Sequence, residues 1–337
     1  MDPFIRAAMD RHGGVFATGD AVRSGIPRTA IRPLLRSGEW WRIRHGVFTS
    51  GAAWRQAEAD DDAHRLECAA VLLRLGSGVT ISHGSAARLH GLVVPPGLDR
   101  EVRLTDPTQF RSGRGYRVAE ASVDADEIVR VGPLRLTSIA RTLVDVGREW
   151  DVVDTVVAMD DALADGRVTR AELTTAVLRQ THWPAIGRSA RAADLARVGA
   201  HSPHETRSRL ALVGAGLPEP LLQAAVLLGR RLVAILDMLW EAAGVFGECD
   251  GKVKTDDPWR GTPAEALWAE KSRHDTLLDL DLRGVRIRPA DLYAPLPAKV
   301  ERVRSLLAAG ATAGPLRYRI EQWKGGLRTT PRAQNPA

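Results

Sequence analysis

The segment SGIPRTAIRPLLRSGEWWRIRHGVF, residues 24–48, decides the fold of the N-terminal region. Its apolar side chains first recur at the i, i+3 and i+4 spacing of a helix with one buried face, at Ile31, Leu34 and Leu35. After Gly38 the pattern changes to the alternation of a strand, and His45-Gly46 supplies a tight turn. The segment therefore predicts a helix followed by a two-stranded hairpin.

Arginine residues occupy the opposite face of the predicted helix, where they recur every four residues. Two shorter helical patterns, residues 3–12 and 18–23, precede this helix. Three helices, the third of them basic, followed by a basic hairpin are the arrangement with which a winged helix-turn-helix contacts duplex DNA. The predicted DNA-contacting residues are Arg28, Thr29, Arg32, Arg36, Arg42 and Arg44. A solvated arginine face on a small helical bundle is the alternative interpretation.

Pro33 constrains where the third helix begins. Proline has no backbone N–H, so it is tolerated in the first turn of a helix, where the N–H groups have no helical partner, but not deeper. We therefore expect this helix to begin near Thr29.

The stretch GGVFATGDAVRSGIPRTAIRPLLRSGEWWRIRHGVF, residues 13–48, resembles the N-terminal winged helix of the AbiEi-type antitoxins of type IV toxin–antitoxin systems. The motifs Arg-Ser-Gly-x-Trp and Arg-x-Gly-Val-Phe carry the resemblance most specifically. It implies a domain that binds promoter DNA and represses its own operon, with a cognate toxin as a partner. Two further stretches, SHGSAARLHGL (residues 82–92) and LTSIARTLVDV (residues 136–146), resemble the middle part of the same family and imply a scaffold or partner-contact role.

The composition is that of a multidomain globular protein. The chain of 337 residues is longer than one hydrophobic core usually serves. It has no apolar run of membrane-spanning length and no charged-then-apolar leader, so we expect a cytoplasmic protein without a membrane partner. Its two cysteines, Cys68 and Cys249, are too far apart in sequence to indicate a disulfide framework or a zinc site.

The charge distribution favours an anionic partner for the N-terminal region. The net charge is +6, and residues 1–52 hold eight arginines against four acids. Only five of the 47 basic residues are lysines, and two of these, Lys252 and Lys254, lie close together. Because the chain otherwise uses arginine for positive charge, a lysine at these two positions suggests that a compact ammonium group is needed there.

The C-terminal region has a separate α/β pattern. Ser202-Pro203-His204-Glu205 is a capping box that begins a helix. Strand patterns at 221–228, 231–239 and 244–249, a helix at 263–282 and a strand at 284–288 follow. The predicted fold class is α+β multidomain: a winged helix-turn-helix at 1–52, a mixed helical middle domain at 53–198, an α/β restriction-endonuclease-like domain at 199–324, and a disordered tail at 325–337.

Acidic residues occupy unusual positions in this region. Asp237 lies within the apolar strand LVAILDML, where an unpaired carboxylate would cost several kcal/mol. Glu248 and Asp250 lie at i and i+2, so they point to one face of the next strand, and Lys252 continues that alternation. If the two strands pair, three carboxylates and an ammonium group converge. Such a group could bind Mg²⁺, which would polarise a phosphate and activate water.

The stretches SPHETRSRL, LVAILDMLW, GECDGKVK and AEKSRHDTL resemble the PD-(D/E)xK nucleases, in the branch of very-short-patch repair endonucleases. The resemblance implies metal ligands at Asp237, Glu248 and Asp250, a catalytic lysine at Lys252 or Lys254, and a helix-borne carboxylate at Glu205. An ordinary salt-bridge network with Lys252, Lys254 or Lys271 is the alternative, and the capping box alone explains Glu205.

Two functions remain open on the sequence. The first is a protein that reads double-stranded DNA with its winged helix and cuts it with an Mg²⁺-dependent endonuclease domain. The second is an antitoxin-type autoregulatory repressor whose nuclease-like domain is inactive. Both predict salt-dependent DNA binding.

Overall fold

The computed structural model describes residues 1–76, 78–249, 263–310 and 317–323. They form a mixed α+β structure with three sheets, divided into two compact units. The first unit holds Met1–Thr155 and Arg170–Arg191, and the second holds Val156–Thr169 with the described residues from Ala192 onward. Within the described ranges no helix is both long enough and apolar enough to cross a membrane.

The N-terminal elements are the three helices and the hairpin that the sequence predicts. They are α1 (Pro3–Arg11), β1 (Phe16–Ala17), α2 (Thr18–Arg23), α3 (Arg28–Arg36), β2 (Trp40–Arg44) and β3 (Val47–Ser50). The strands form a sheet in the order β1-β3-β2, and β2 and β3 are antiparallel. Three aromatic rings form the centre of this small core, with Phe16 and Trp40 edge to face at 4.7 Å and Phe48 beside both.

Pro33 lies deeper in α3 than expected. The helix begins at Arg28, one residue before the expected start, so Pro33 is its sixth residue rather than part of its first turn. Its ring nitrogen cannot donate to the carbonyl of Thr29. Thr29 is exposed, so water can bind that carbonyl instead.

The rest of the first unit surrounds a six-stranded sheet in the order β6-β7-β5-β4-β9-β8. Its strands are β4 (Thr80–Ile81), β5 (Val102–Asp106), β6 (Arg111–Gly113), β7 (Tyr116–Glu120), β8 (Ile128–Val131) and β9 (Leu134–Thr137). Its helices are α4 (Gly51–Ala59), α5 (Ala63–Leu75), α6 (His83–Leu89), α7 (Ile139–Gly147) and α9 (Arg170–Arg179); α8 (Val152–Ala164) and α10 (Ile186–Leu195) contain the points where the units divide.

One hydrophobic core joins the winged helix to this sheet. Val15 and Val47 from the N-terminal elements are fully buried in the same cluster as Leu66 of α5 and Leu104 and Leu136 of the sheet. The predicted segment 1–52 therefore belongs to one compact unit with residues 53–155 and 170–191 of the predicted middle domain, whereas residues 156–169 belong to the second unit.

The second unit has a five-stranded sheet in the order β13-β12-β11-β10-β14, with β12 and β13 parallel and the other neighbours antiparallel. Its elements are α11 (Pro203–Gly214), β10 (Leu221–Leu228), β11 (Arg231–Trp240), β12 (Val245–Cys249), α12 (Pro263–Asp279), β13 (Arg283–Ile287), α13 (Leu296–Ala308) and β14 (Arg319–Gln322). The two helices and four strands expected from the sequence are present as α11, α12 and β10 to β13, whereas α13 and β14 were not predicted.

A buried ion pair fixes the start of the second unit. The guanidinium of Arg209 on α11 lies 3.1 Å from the carboxylate of Asp160, and both side chains have no exposed surface. The same carboxylate accepts hydrogen bonds from the backbone N–H of Arg197 and from the hydroxyl of Thr206. Because so many donors face it, Asp160 can be buried, although burial raises its pKa.

His83 makes the stability of the first unit depend on pH. Its ring is 3% exposed, hydrogen-bonds Ser82, and lies 3.8 Å from the carboxylate of Glu149, which pairs with Arg103. Burial lowers the pKa of His83 to about 3, against the opposing effect of Glu149. An unfolded histidine takes up a proton near pH 6.5, so the folded state is fully favoured above that pH and loses this advantage as the pH falls from 6.5 towards 3.

We expect His83→Gln to flatten the pH dependence of stability. Urea unfolding should show that the wild-type protein loses about 3 kcal/mol more than the variant between pH 7 and pH 4, since each pKa unit corresponds to ~1.4 kcal/mol. His182→Gln, which removes an exposed histidine, should keep the wild-type profile. Parallel profiles for wild type and His83→Gln would contradict the assignment.

Candidate nucleic-acid interface and candidate metal site

Helix α3 turns its basic face away from the core. Ile31 is 8% exposed in the aromatic core, and Leu34 and Leu35 pack against the same cluster. The predicted DNA-contacting side chains of this helix are all exposed: Arg28, Thr29, Arg32 and Arg36. The helical periodicity therefore produces the arrangement that a recognition helix requires, an anchored apolar face and an exposed cationic one.

The wing continues this exposed surface. Arg42 on β2 is exposed and lies opposite Phe48 of β3, with its guanidinium carbon 5.9 Å from the Phe48 ring centroid. Trp41 beside it is 45% exposed and stacks on Trp54 of α4, at 5.2 Å between centroids. A cation and an aromatic ring on a two-stranded hairpin are suited to the sugar-phosphate backbone of a duplex.

Arg44 is placed differently from the other five predicted residues. It is half-buried, and its guanidinium donates to the carbonyls of Arg114 at 2.6 Å and Gly115 at 2.9 Å. It also lies 5.5 Å from the ring centroid of Tyr116. Burial lowers the pKa of Arg44, and Glu67 partly opposes this effect. Arg44 therefore connects the wing to the hairpin formed by β6 and β7, a partner 70 residues away that the sequence pattern did not indicate.

Glu205 differs from the predicted capping box at the start of α11, because its carboxylate accepts from the backbone N–H of His201 and not from that of the N-cap Ser202. One carboxylate oxygen accepts from the Ser202 hydroxyl at 2.8 Å, and the other accepts from the backbone N–H of His201 at 2.8 Å. In return, the Ser202 hydroxyl accepts from the backbone N–H of Glu205 at 3.2 Å. The second oxygen also accepts from the amide of Gln223 on β10 at 3.1 Å. Helix capping thus accounts for both oxygens, and Gln223 links them to the sheet.

Asp237 and Glu248 lie on neighbouring strands. The antiparallel pairs Trp240–Val245, Leu239–Phe246 and Met238–Gly247 end one step before Asp237 and Glu248, which would be opposed if the same register continued. Opposed residues of an antiparallel pair share one face of the sheet. In addition, a carboxylate oxygen of Asp237 accepts from the backbone N–H of Cys249 at 2.7 Å.

Among the described residues, two arginines pair with Glu248. Arg273 on α12 lies 2.6 Å from one carboxylate oxygen, and Arg286 on β13 lies 4.0 Å from the other. Lys271 is exposed, with its ammonium group 5.5 Å from the ring centroid of Trp268. The ion-pair alternative therefore has a structural basis at Glu248, through a helix whose register the sequence alone did not define.

The remaining predicted site residues, Asp250, Lys252 and Lys254, lie outside the described residues. Within the described ranges no group of three histidine, cysteine, aspartate or glutamate side chains is arranged to hold a metal ion. What the described strands offer is two carboxylates on neighbouring strands, of which that of Glu248 is paired with Arg273. These fit one side of a divalent cation only if Arg273 gives way to it.

Gln223 is a site residue that the sequence analysis missed. It lies on β10 between residues paired with Met238 and Leu236, opposite Asp237, and its side chain donates to Glu205. Its backbone φ of +48° is in the left-handed region, which a non-glycine residue adopts only under tertiary constraint. The signal was present, because Gln223 is a lone polar residue in the apolar strand LLQAAVLL, just as Asp237 is in its own strand.

The His83 and Ser85 region has no exposed nucleophile. Ser85 is 1% exposed and its hydroxyl bonds His64 at 2.9 Å rather than His83, and it also accepts from the backbone N–H of Arg103. His64 in turn lies 3.4 Å from Glu67. The serine contacts the histidine and the histidine contacts the glutamate, as in a hydrolase triad. However, a buried serine cannot reach a substrate. These contacts instead hold α5, α6 and β5 together.

Comparison with known proteins supports the N-terminal part of this description. Residues 4–50 match the family model described as "Transcriptional regulator, AbiEi antitoxin". The chain is 26% identical, over 286 residues, to the uncharacterized proteins MT2308 and Rv2248 of two Mycobacterium tuberculosis strains, and the match covers 83% of this chain and 99% of each relative. A solved structure, RV2827C of the same species, is 17% identical with a TM-score of 0.39, covering 57% of this chain and 75% of its own. The segment that contains α1 to α3 and the wing is thus similar to a family of AbiEi antitoxin transcriptional regulators.

Proposed function

We propose that this protein is a transcriptional regulator that binds double-stranded DNA through α3 and the wing. The observation that carries the proposal is the orientation of α3. Its apolar face is in the aromatic core, and its three arginines are exposed at successive turns, beside the exposed Arg42 of the wing. The family match over residues 4–50 supports this interpretation.

The geometry suggests that α3 and the wing contact different parts of the duplex. Arg28, Arg32 and Arg36 are spaced about 6 Å apart along one helix, at 1.5 Å per residue, so they can follow the major groove and reach guanine edges or flanking phosphates. Arg42 extends from the wing to the backbone beside that groove. Arg44 holds the wing in place from behind through Arg114 and Gly115.

We further infer that the DNA is the promoter of the protein's own operon and that a cognate toxin is encoded beside it. The support for this finer role is the similarity of residues 4–50 to an antitoxin family model.

The DNA-binding proposal predicts a loss of affinity in Arg32→Ala. We expect the dissociation constant for a duplex from the region upstream of the reading frame to rise about 5- to 150-fold, the loss of one arginine contact to a base edge or phosphate. Fluorescence anisotropy across a salt series measures both the affinity and its salt dependence. The matched control is Arg302→Ala, which removes an equally exposed arginine from α13.

Two results would contradict this proposal. One is a wild-type protein that fails to retain duplex DNA at low salt. The other is an Arg302→Ala variant that loses as much affinity as Arg32→Ala, since affinity would then follow net charge and not α3.

A metal-dependent endonuclease activity is the second candidate function. The carboxylate of Asp237 bonds the backbone N–H of Cys249, the residue next to Glu248, and this proximity favours it. With Mg²⁺ bound, Asp237, Glu248 and Asp250 would hold the ion, which would polarise the scissile phosphate and activate water. Lys252 or Lys254 would stabilise the developing charge. We rank it second because Arg273 already pairs with Glu248 at 2.6 Å.

This candidate predicts that the protein nicks supercoiled plasmid in Mg²⁺ and that Asp237→Asn abolishes nicking. Magnesium should also raise the melting temperature of the wild-type protein, and Asp237→Asn should remove that shift, which gives a readout independent of cleavage. Asp275→Asn, an exposed acid on α12, serves as the control and should keep both properties. If the wild-type protein shows no nicking and magnesium does not raise its melting temperature, the endonuclease candidate is refuted and DNA-binding regulation is the function that stands.

A further inference from the structure

A groove of about 800 Å³ lies within the first unit, between the wing and the hairpin of β6 and β7. Its apolar lining comes from Ile43 of the wing, from Val71 and Leu75 of α5, and from Tyr116 of β7. Its cationic lining consists of Arg42, Arg44, Arg74, Arg111 and Arg114. The groove thus has an apolar floor and arginines contributed by the wing, by α5 and by the second hairpin.

The charged side chains that line the groove all have the same sign. None of the described residues that line it is an acid. Arg74 donates to the carbonyl of His45 and Arg111 to the side chain of Gln109, both neutral acceptors, so these contacts orient the guanidinium groups without neutralising them. A cleft lined by charges of one sign concentrates the field and attracts counter-ions.

The hairpin of β6 and β7 exposes an arginine side chain, as the wing does. Its turn, Arg114-Gly115, exposes the Arg114 side chain, and Arg111 lies at the start of the edge strand β6. Arg44 donates from the wing to both carbonyls of that turn. Because the two hairpins are connected in this way, a ligand that contacts the wing meets the second hairpin in a fixed position.

We propose that this groove binds the phosphate backbone of the duplex that α3 and the wing contact, so that the DNA footprint extends onto the middle region of the chain. The inference rests on the proposed DNA-binding function. Arg42 belongs to both surfaces, since it is exposed on the wing and also lines the groove. A continuous cationic surface from α3 through Arg42 to Arg114 matches a continuous anionic backbone better than it matches an isolated anion. Arg44 acts here as a positioning residue.

The test uses a double variant, Arg111→Ala with Arg114→Ala, in the full chain. The matched control is Arg130→Ala with Arg302→Ala, which removes the same charge. Arg130 is exposed on β8, the opposite edge strand of the same sheet, and Arg302 is exposed on α13. Affinity is measured by fluorescence anisotropy across a salt series, with one duplex of about 12 base pairs and one of about 25, or ~40 and ~85 Å at 3.4 Å per base pair.

On the long duplex, the Arg111/Arg114 variant should lower the slope of log K against log salt by about 2 and weaken binding at least about tenfold, since each lost phosphate contact contributes a slope of ~0.9. On the short duplex it should match the wild type. The control should match the wild type on both. Circular dichroism melting checks that both double variants fold.

Three results would overturn the inference. Equal slopes for the variant and the wild type on the long duplex would place the DNA elsewhere. Pyrophosphate binding is measured by calorimetry for the wild type and the Arg111/Arg114 variant. If the variant loses pyrophosphate binding but keeps its affinity for the long duplex, the groove is a site for a small phosphate-bearing molecule instead. A wild-type protein that binds neither duplex would refute the proposed function itself. If the variant instead binds both duplexes with the salt slope of the wild type, only the inference about the groove fails.

Discussion

The burial of β3 against α5 is the constraint on which the first unit depends. Val47 and Val15 have no exposed surface and lie in one cluster with Leu66, so the small N-terminal sheet shares its core with the larger sheet behind it. A hairpin of two strands is marginal by itself. Here it gains a rigid support, and the basic face of α3 and the basic wing are held at one fixed angle. The same packing brings Arg44 to the turn at Arg114-Gly115 and so creates the arginine-lined groove.

Local patterns predicted most of the elements, because periodicity and turn chemistry are properties of neighbouring residues. The spacing of Ile31, Leu34 and Leu35 defined the buried face of α3, and the capping box at Ser202 defined the start of α11. The same patterns could not show the destination of Arg44, whose partners are 70 residues away. Nor could they show that Pro33 lies beyond the first turn, where the exposed Thr29 leaves its carbonyl accessible to water.

The candidate metal site shows the same division between local and long-range information. Strand alternation predicted that Asp237 and Glu248 could face one another, and the observed register pairs the two strands up to their neighbours Met238 and Gly247. The sequence did not indicate Arg273 as the partner of Glu248, because α12 and the strand meet only through the tertiary fold. It also left Gln223 unnoticed, although this residue, with its unusual backbone, connects the capping box of α11 to the strand of Asp237. The described part of the cluster is an ion pair of Glu248 with Arg273 beside the hydrogen bond of Asp237 to the Cys249 backbone.

The central claim is that duplex DNA contacts the chain through α3 and the wing. Photo-cross-linking of the full chain to a bromodeoxyuridine-substituted duplex, followed by peptide mapping, tests this claim most directly because it reports where the DNA lies. DNA bound by α3 and the wing should give cross-links on peptides that contain residues 28–36 and 40–44. Cross-links confined to peptides of the second unit would contradict it.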